Sequence, residues 1–197
     1  MSDFVRTLIE DWGPLGVGFL MFLENVFPPI PSELILPLAG YAAGRGDASL
    51  SMLVLGGVVG SVAGTALWFV AGLCLGKEGL KRFAARRGRW LTLKPGDIED
   101  ADEWFDRHGG KTVLLGRLLP AVRTLISVPA ALAGMSWTRF LIYTSIGTTI
   151  WSVALACAGF WLGNNYSVVA DWMGPVSTCI VALLVLGYLY RVATFRP

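Results

Sequence analysis

The chain holds 197 residues, of which 54% are hydrophobic and 15% charged, with a mean hydropathy of +0.61. Charged residues make up about a quarter of a soluble domain, so this composition excludes one and defines an integral membrane protein. The net charge of +2 is small and no nucleic-acid partner is expected; the placement of the charges along the chain is the informative quantity.

Near the N-terminus Arg6 is outnumbered by Asp3, Glu10 and Asp11, and no small-residue cleavage site follows the first apolar run, so a retained first helix is expected. Residues 12–43 are apolar but carry Pro28, Pro29, Pro31 and Pro37. Proline lacks a backbone donor and clashes with the preceding turn, which predicts two short helical pieces joined by a break, a re-entrant segment. Whether 12–27 spans or only dips in is left open, and with it the side on which the N-terminus lies. Residues 48–76 are free of charge and long enough for the roughly 20 residues of a spanning helix.

Residues 77–94 then place Lys77, Lys81, Arg82, Arg86, Arg87, Arg89 and Lys94 against Glu78 alone. The positive-inside rule puts 77–111 in the cytoplasm, as a basic loop followed by an amphipathic helix over 97–108 with Ile98, Ala101, Trp104 and Phe105 at helical spacing. Contact of the basic run with anionic head groups is a second reading. Residues 112–134 repeat the broken pattern with Pro120 and Pro129, and spanning helices are expected at 137–163 and 172–191, which returns the C-terminus to the cytoplasm. The fold class is therefore all-α and polytopic: two broken hairpins, three to four spans and one surface helix.

Within the apolar stretches stand Glu24 and Glu33 in the first half, and Arg117 and Arg123 in the second. A charge at the bilayer centre costs about 2.5–3.5 kcal/mol on insertion scales, so four facing lipid would cost on the order of 10 kcal/mol. They are expected to face one another or a watery cavity. An unbroken helix would put Glu24 and Glu33 about 180° apart and Arg117 and Arg123 about 120° apart. Breaks at Pro28 to Pro31 and at Pro120 let both members of each pair turn inward. An ordinary proline kink is the alternative to the breaks, and a buried salt-bridge cluster that only holds the two hairpins together is the alternative to a functional site.

The halves also resemble each other. Leu38-Ala39-Gly40 follows the first broken segment and Leu132-Ala133-Gly134 the second, while Gly60, Gly72 and Gly76 recur at the spacing of Gly147, Gly159 and Gly163. Such internal similarity points to inverted repeats, with the two broken segments meeting near the midplane. Cys74, Cys157 and Cys179 stand singly and His108 is the lone histidine, so neither a disulfide framework, a metal site nor a cofactor is expected.

The motifs Leu23-Glu24-Asn25, Pro28-Pro29-Ile30-Pro31-Ser32-Glu33, Trp104 through Lys111, Gly116-Arg117-Leu118-Leu119-Pro120-Ala121-Val122-Arg123, and Pro129-Ala130 through Ala133-Gly134 closely resemble the bacterial DedA family. That family shares its core with the VTT, or SNARE-associated Golgi, membrane proteins. The resemblance implies opposed re-entrant segments in the inner (cytoplasmic) membrane and movement of phospholipids or undecaprenyl phosphate between leaflets, with proton or cation coupling. It also implies that the essential acidic pair falls on Glu24 and Glu33 and the essential arginines on Arg117 and Arg123.

The residues themselves lead to a related mechanism. A guanidinium fork binds phosphate oxygens and stays charged, which suits Arg117 and Arg123 to a lipid phosphate. The glutamates are expected to pair with the arginines when the site is empty and to take up protons, or a monovalent cation, when substrate competes. A proton or small-ion exchanger and a non-transporting assembly factor are the alternatives; a hydrolase lacks a membrane histidine to act as nucleophile or acid.

Overall fold

A computed structural model of the chain describes residues 2–27, 32–46, 48–91, 103–105, 107–119, 122–124 and 126–162, with backbone alone at 2–4, 6, 80–91 and 162. The described residues are helical, with no strand among them: α1 Ser2–Val26, α2 Ser32–Gly44, α3 Leu50–Leu91, α4 Gly110–Arg117, α5 Ser127–Leu132 and α6 Trp137–Leu162.

α1 is two helices end to end. Gly13 has φ 51° and ψ −125°, a conformation that glycine alone adopts at ease, and Pro14 opens the second limb. The first limb buries Val5 and Ile9, one turn apart, and leaves Thr7, Glu10, Asp11 and Trp12 exposed. The second limb, 14–26, and α2 are each about 20 Å long, short of the roughly 30 Å hydrocarbon core. α4 and α5, of 8 and 6 residues, are shorter still.

Two helices among the described residues, Leu50–Gly79 and Trp137–Trp161, are long and apolar enough to cross a membrane. Their outer faces expose Leu55, Val59, Leu67 and Leu73 on α3, and Ile142, Ile146, Ile150 and Val153 on α6. Their inner faces bury Ser61 and Thr65 on α3, and Thr144, Thr148 and Ser152 on α6. Apolar outside and polar inside is the distribution expected of a bundle solvated by lipid.

Packing exchanges elements between the two halves. α1 lies on α3, where a Cβ added at Gly60 would stand 1.9 Å from the Gly18 carbonyl oxygen, and α4 lies on α6, where Gly147 meets Leu114 and Arg117. α2, in contrast, packs on α6 of the other half, with Gly159 against Pro37 and Gly40 against Ala156, and α5 packs on α3, with Gly72 against Ala131. The glycines paired by spacing thus do the same work: Gly60 and Gly147 receive the first short helix of their own half, and Gly72 and Gly159 the second short helix of the opposite half. Gly163, the partner of Gly76, lies outside the described residues.

Several expectations change. The basic stretch expected as a loop from 77 is helical to Leu91 in the structure, continuing α3, with Gly76 at φ 65° marking the change from the apolar to the basic limb. Lys, Arg, Leu and Ala dominate 80–91; they are strong helix formers, and cations suit a helix C-terminus. Pro37 and Pro129 do not interrupt their segments, lying inside α2 and in the first turn of α5, where a missing N–H costs least. Pro28, Pro29, Pro31 and Pro120 and the span expected at 172–191 lie outside the described residues. Of the surface helix expected at 97–108, only 103–105, 107 and 108 are described; they are helical, with Phe105 buried and Trp104 exposed and stacked on His108.

Because these helices meet backbone to backbone, a single added methyl group has nowhere to go. Gly60→Ala and Gly159→Ala are each expected to cost about 1–3 kcal/mol and to lower Tm by roughly 3–10 °C in detergent, read by thermal unfolding.

Candidate functional site

Glu24 stands in the last turn of α1 and is almost fully buried. Its Oε1 accepts from Nη2 of Arg123, a residue 99 positions on in the turns between α4 and α5, and both side chains are under a tenth exposed. Its Oε2 accepts from Asn25 Nδ2 at 2.8 Å. Asn25 Nδ2 also lies 2.9 Å from Ser61 Oγ on α3 and 2.8 Å from the Met21 carbonyl. Trp68 Nε1 of α3 donates to the Asn25 carbonyl at 2.9 Å, satisfying one of the acceptors that a helix end leaves open.

Arg117 closes α4. Its Nη1 donates to the Arg123 carbonyl and its Nη2 to Ser127 Oγ, at 2.8 Å, on α5. Its guanidinium carbon lies 5.8 Å from the Phe140 ring centroid, and that of Arg123 lies 5.9 Å from Trp151, both within cation–π range. Trp151 Nε1 donates to Ser32 Oγ at 3.4 Å, and Ser32 Oγ to Glu33 Oε2 at 3.3 Å.

The structure therefore brings together three of the four ionisable residues singled out in the sequence: Glu24, Arg117 and Arg123. Glu33 is half-buried in the first turn of α2, bonded to Ser32, and takes part in no ion pair among the described residues. The buried cluster holds one carboxylate and two guanidinium groups. Arg117 meets only neutral acceptors, and its Nε is buried without a partner among the described residues.

Asn25, Ser61, Ser127 and Trp151, which complete the network, went unassigned in the sequence because neutral polar and aromatic residues are common in membrane helices. A usable signal was present for Ser61: with Thr65 it recurs at four residues in an apolar helix and so shares one face, as do Thr144, Thr148 and Ser152.

These features define an α-helical membrane protein with a buried cluster of charged side chains between its halves, Glu33 lying half-buried at its edge through Ser32 and Trp151. The chain belongs to the VTT-domain, or DedA, family: the VTT domain model matches residues 30–161. It is 35% identical over 196 residues to a Lactococcus lactis protein named alkaline phosphatase-like protein, covering 99% of this chain and 92% of that one. It is 29% identical over 190 residues to undecaprenyl phosphate transporter A of Staphylococcus aureus, covering 96% and 94%. The Bacillus subtilis protein of the same name is 27% identical over 183 residues, covering 92% and 88%. No solved structure matches the chain.

Removing one member of a buried ion pair leaves the other charge uncompensated. Glu24→Ala and Arg123→Ala are each expected to destabilise by about 3–5 kcal/mol in denaturant titrations in micelles. The double variant should lose at least about 1 kcal/mol less than the two costs added together.

Proposed function

We propose that this protein moves a lipid phosphate, undecaprenyl phosphate in the leading reading and a phospholipid in the broader one, between the leaflets of the membrane. One observation carries the reading: a buried site between the two halves holds an excess guanidinium, with Arg117 bonded to neutral groups alone and Arg123 held by one glutamate. A cation kept in an apolar bundle is stable once an anion joins it, and a phosphate presents oxygens in the geometry a guanidinium fork accepts. The name carried by the Staphylococcus aureus and Bacillus subtilis relatives supports the same substrate.

In this reading the short helices on either side of the two proline-rich breaks are re-entrant hairpins of two inverted repeats. The exchanged packing of α2 and α5 supports that arrangement. Substrate phosphate competes with Glu24 for Arg123; the displaced carboxylate takes up a proton, which couples lipid movement to a proton gradient, and Glu33 handles protons at the mouth of the site. Hydrolysis through a histidine nucleophile or acid would need that residue beside the arginines. His108, the one histidine, is exposed, stacked on Trp104 and bonded to its carbonyl, so no hydrolytic role is assigned. Proton or small-ion exchange without lipid is the competing reading, and arginine dependence of lipid movement separates the two.

The test is leaflet-to-leaflet movement of labelled undecaprenyl phosphate, beside a phospholipid, in liposomes holding the purified protein. Arg123→Lys keeps the charge but loses the fork, and is expected to slow movement at least about tenfold. Glu24→Gln is expected to bind the lipid phosphate while movement loses its dependence on pH. Movement unaffected by changes at Arg123, or a pH dependence that survives Glu24→Gln, would refute the respective assignment.

A further inference from the structure

Glu24 has two carboxylate oxygens and two kinds of partner. Oε1 faces Arg123, the cation that a substrate phosphate would claim, whereas Oε2 faces Asn25, an amide that no anion displaces so easily because its own anchors are internal. Asn25 Nδ2 shares its two hydrogens among three acceptors: Glu24 Oε2, the Met21 carbonyl one turn back and Ser61 Oγ on α3. Its Oδ1 is buried without a partner among the described residues, and Trp68, two turns beyond Ser61 on α3, fixes the Asn25 carbonyl. Asn25 is 1% exposed, and α3 comes close to it at Gly64, where an added Cβ would stand 2.8 Å from the Asn25 Cβ.

The chemistry of the residue fits this place. An amide donates a hydrogen bond without adding charge, so it holds the carboxylate on α1 and α3 and leaves the excess positive charge of the site intact. A lysine would cancel the need for Arg123, and an aspartate would offer a second carboxylate and no donor.

We infer that Asn25 is a positioning residue for Glu24, anchoring the carboxylate to the α1–α3 pair so that Arg123 can be released to a lipid phosphate while Glu24 keeps a hydrogen-bond donor. The inference rests on the transport reading above for its purpose, though the anchoring itself does not. Without Asn25, the Glu24 carboxylate released by Arg123 has no donor at Oε2 until it takes up its proton, and the cost appears as weaker binding. One hydrogen bond to a buried charge corresponds to about a tenfold change in affinity.

The experiment measures binding of undecaprenyl phosphate to the full chain in nanodiscs for wild type, Asn25→Ala, Glu24→Gln and the double variant. Ser61→Ala is added as a milder way to loosen the same amide if Asn25→Ala does not fold. Asn25→Ala is expected to weaken binding about tenfold when Glu24 is present and less than about twofold in the Glu24→Gln background. Equal weakening in both backgrounds, which a purely structural role would give, overturns the inference.

Infrared difference spectra decide the anchoring independently of any lipid. The carboxylate band that disappears in Glu24→Gln should shift in Asn25→Ala or Ser61→Ala, and an unshifted band overturns the inference. A shifted band in a folded protein that binds no undecaprenyl phosphate would uphold the anchoring and refute the substrate assignment instead.

Discussion

A carboxylate and a guanidinium 99 positions apart meet in the apolar interior of this bundle, and most of the architecture follows from making that meeting possible. Neither charge is tolerable in hydrocarbon alone, so the end of α1 and the turns after α4 must arrive at one point. Arrival demands close helices, and close helices demand small residues at the crossings: Gly18 against Gly60, Pro37 against Gly159 and Ala131 against Gly72. In lipid, where apolar side chains gain nothing by leaving the solvent, this backbone contact and the polar network together supply much of what water-driven burial supplies elsewhere.

The two arginines occupy different positions within that frame. Arg117 spans from the end of α4 to the Arg123 carbonyl and to Ser127, so its fork ties together both sides of the segment that carries Arg123. Arg123 reaches out of that segment to a carboxylate on another helix. A guanidinium bonded to a backbone carbonyl and a hydroxyl keeps its full charge, whereas one paired with a glutamate is neutralised. The same residue type therefore presents two electrostatic states six positions apart. Phe140 and Trp151, both on α6, lie against the two guanidinium groups and place α6 beside both.

The exchanged packing gives the bundle a seam. α1 and α5 lie on α3, while α2 and α4 lie on α6, so successive short helices, α1 then α2 and α4 then α5, lie on different long helices. The charged network joins the end of α1 to Arg117, which closes α4, and to Arg123. Ser61 and Thr65 on α3, and Thr144, Thr148 and Ser152 on α6, line the inward faces on both sides, and Thr144 and Ser152 have hydroxyls with no partner among the described residues. Unpaired buried hydroxyls at a seam mark the places where water or a polar ligand has most to gain by entering.

Membrane character, membership in the VTT-domain family, and the burial of Glu24, Arg117 and Arg123 were legible in the sequence. Each rests on a local cost: the transfer of a charge into lipid, a missing proline donor, or the length of an apolar run. The matched glycines were legible too, because spacing survives folding. The helical course of 77–91 was obscured because a run of like charges reads as a solvated loop, although its residues favour a helix. The amide that holds Glu24, the clamp of Arg117 on Ser127, and the absence of Glu33 from the ion pairs among the described residues were decided only by the tertiary structure. Those choices depend on which short helix lies on which long one, and two chains with the same local periodicity can differ in that exchange. Sequence alone thus determined which residues could not face lipid; the three-dimensional packing decided which of them face one another, because hydrogen bonds are settled over a few ångströms and not by position along the chain.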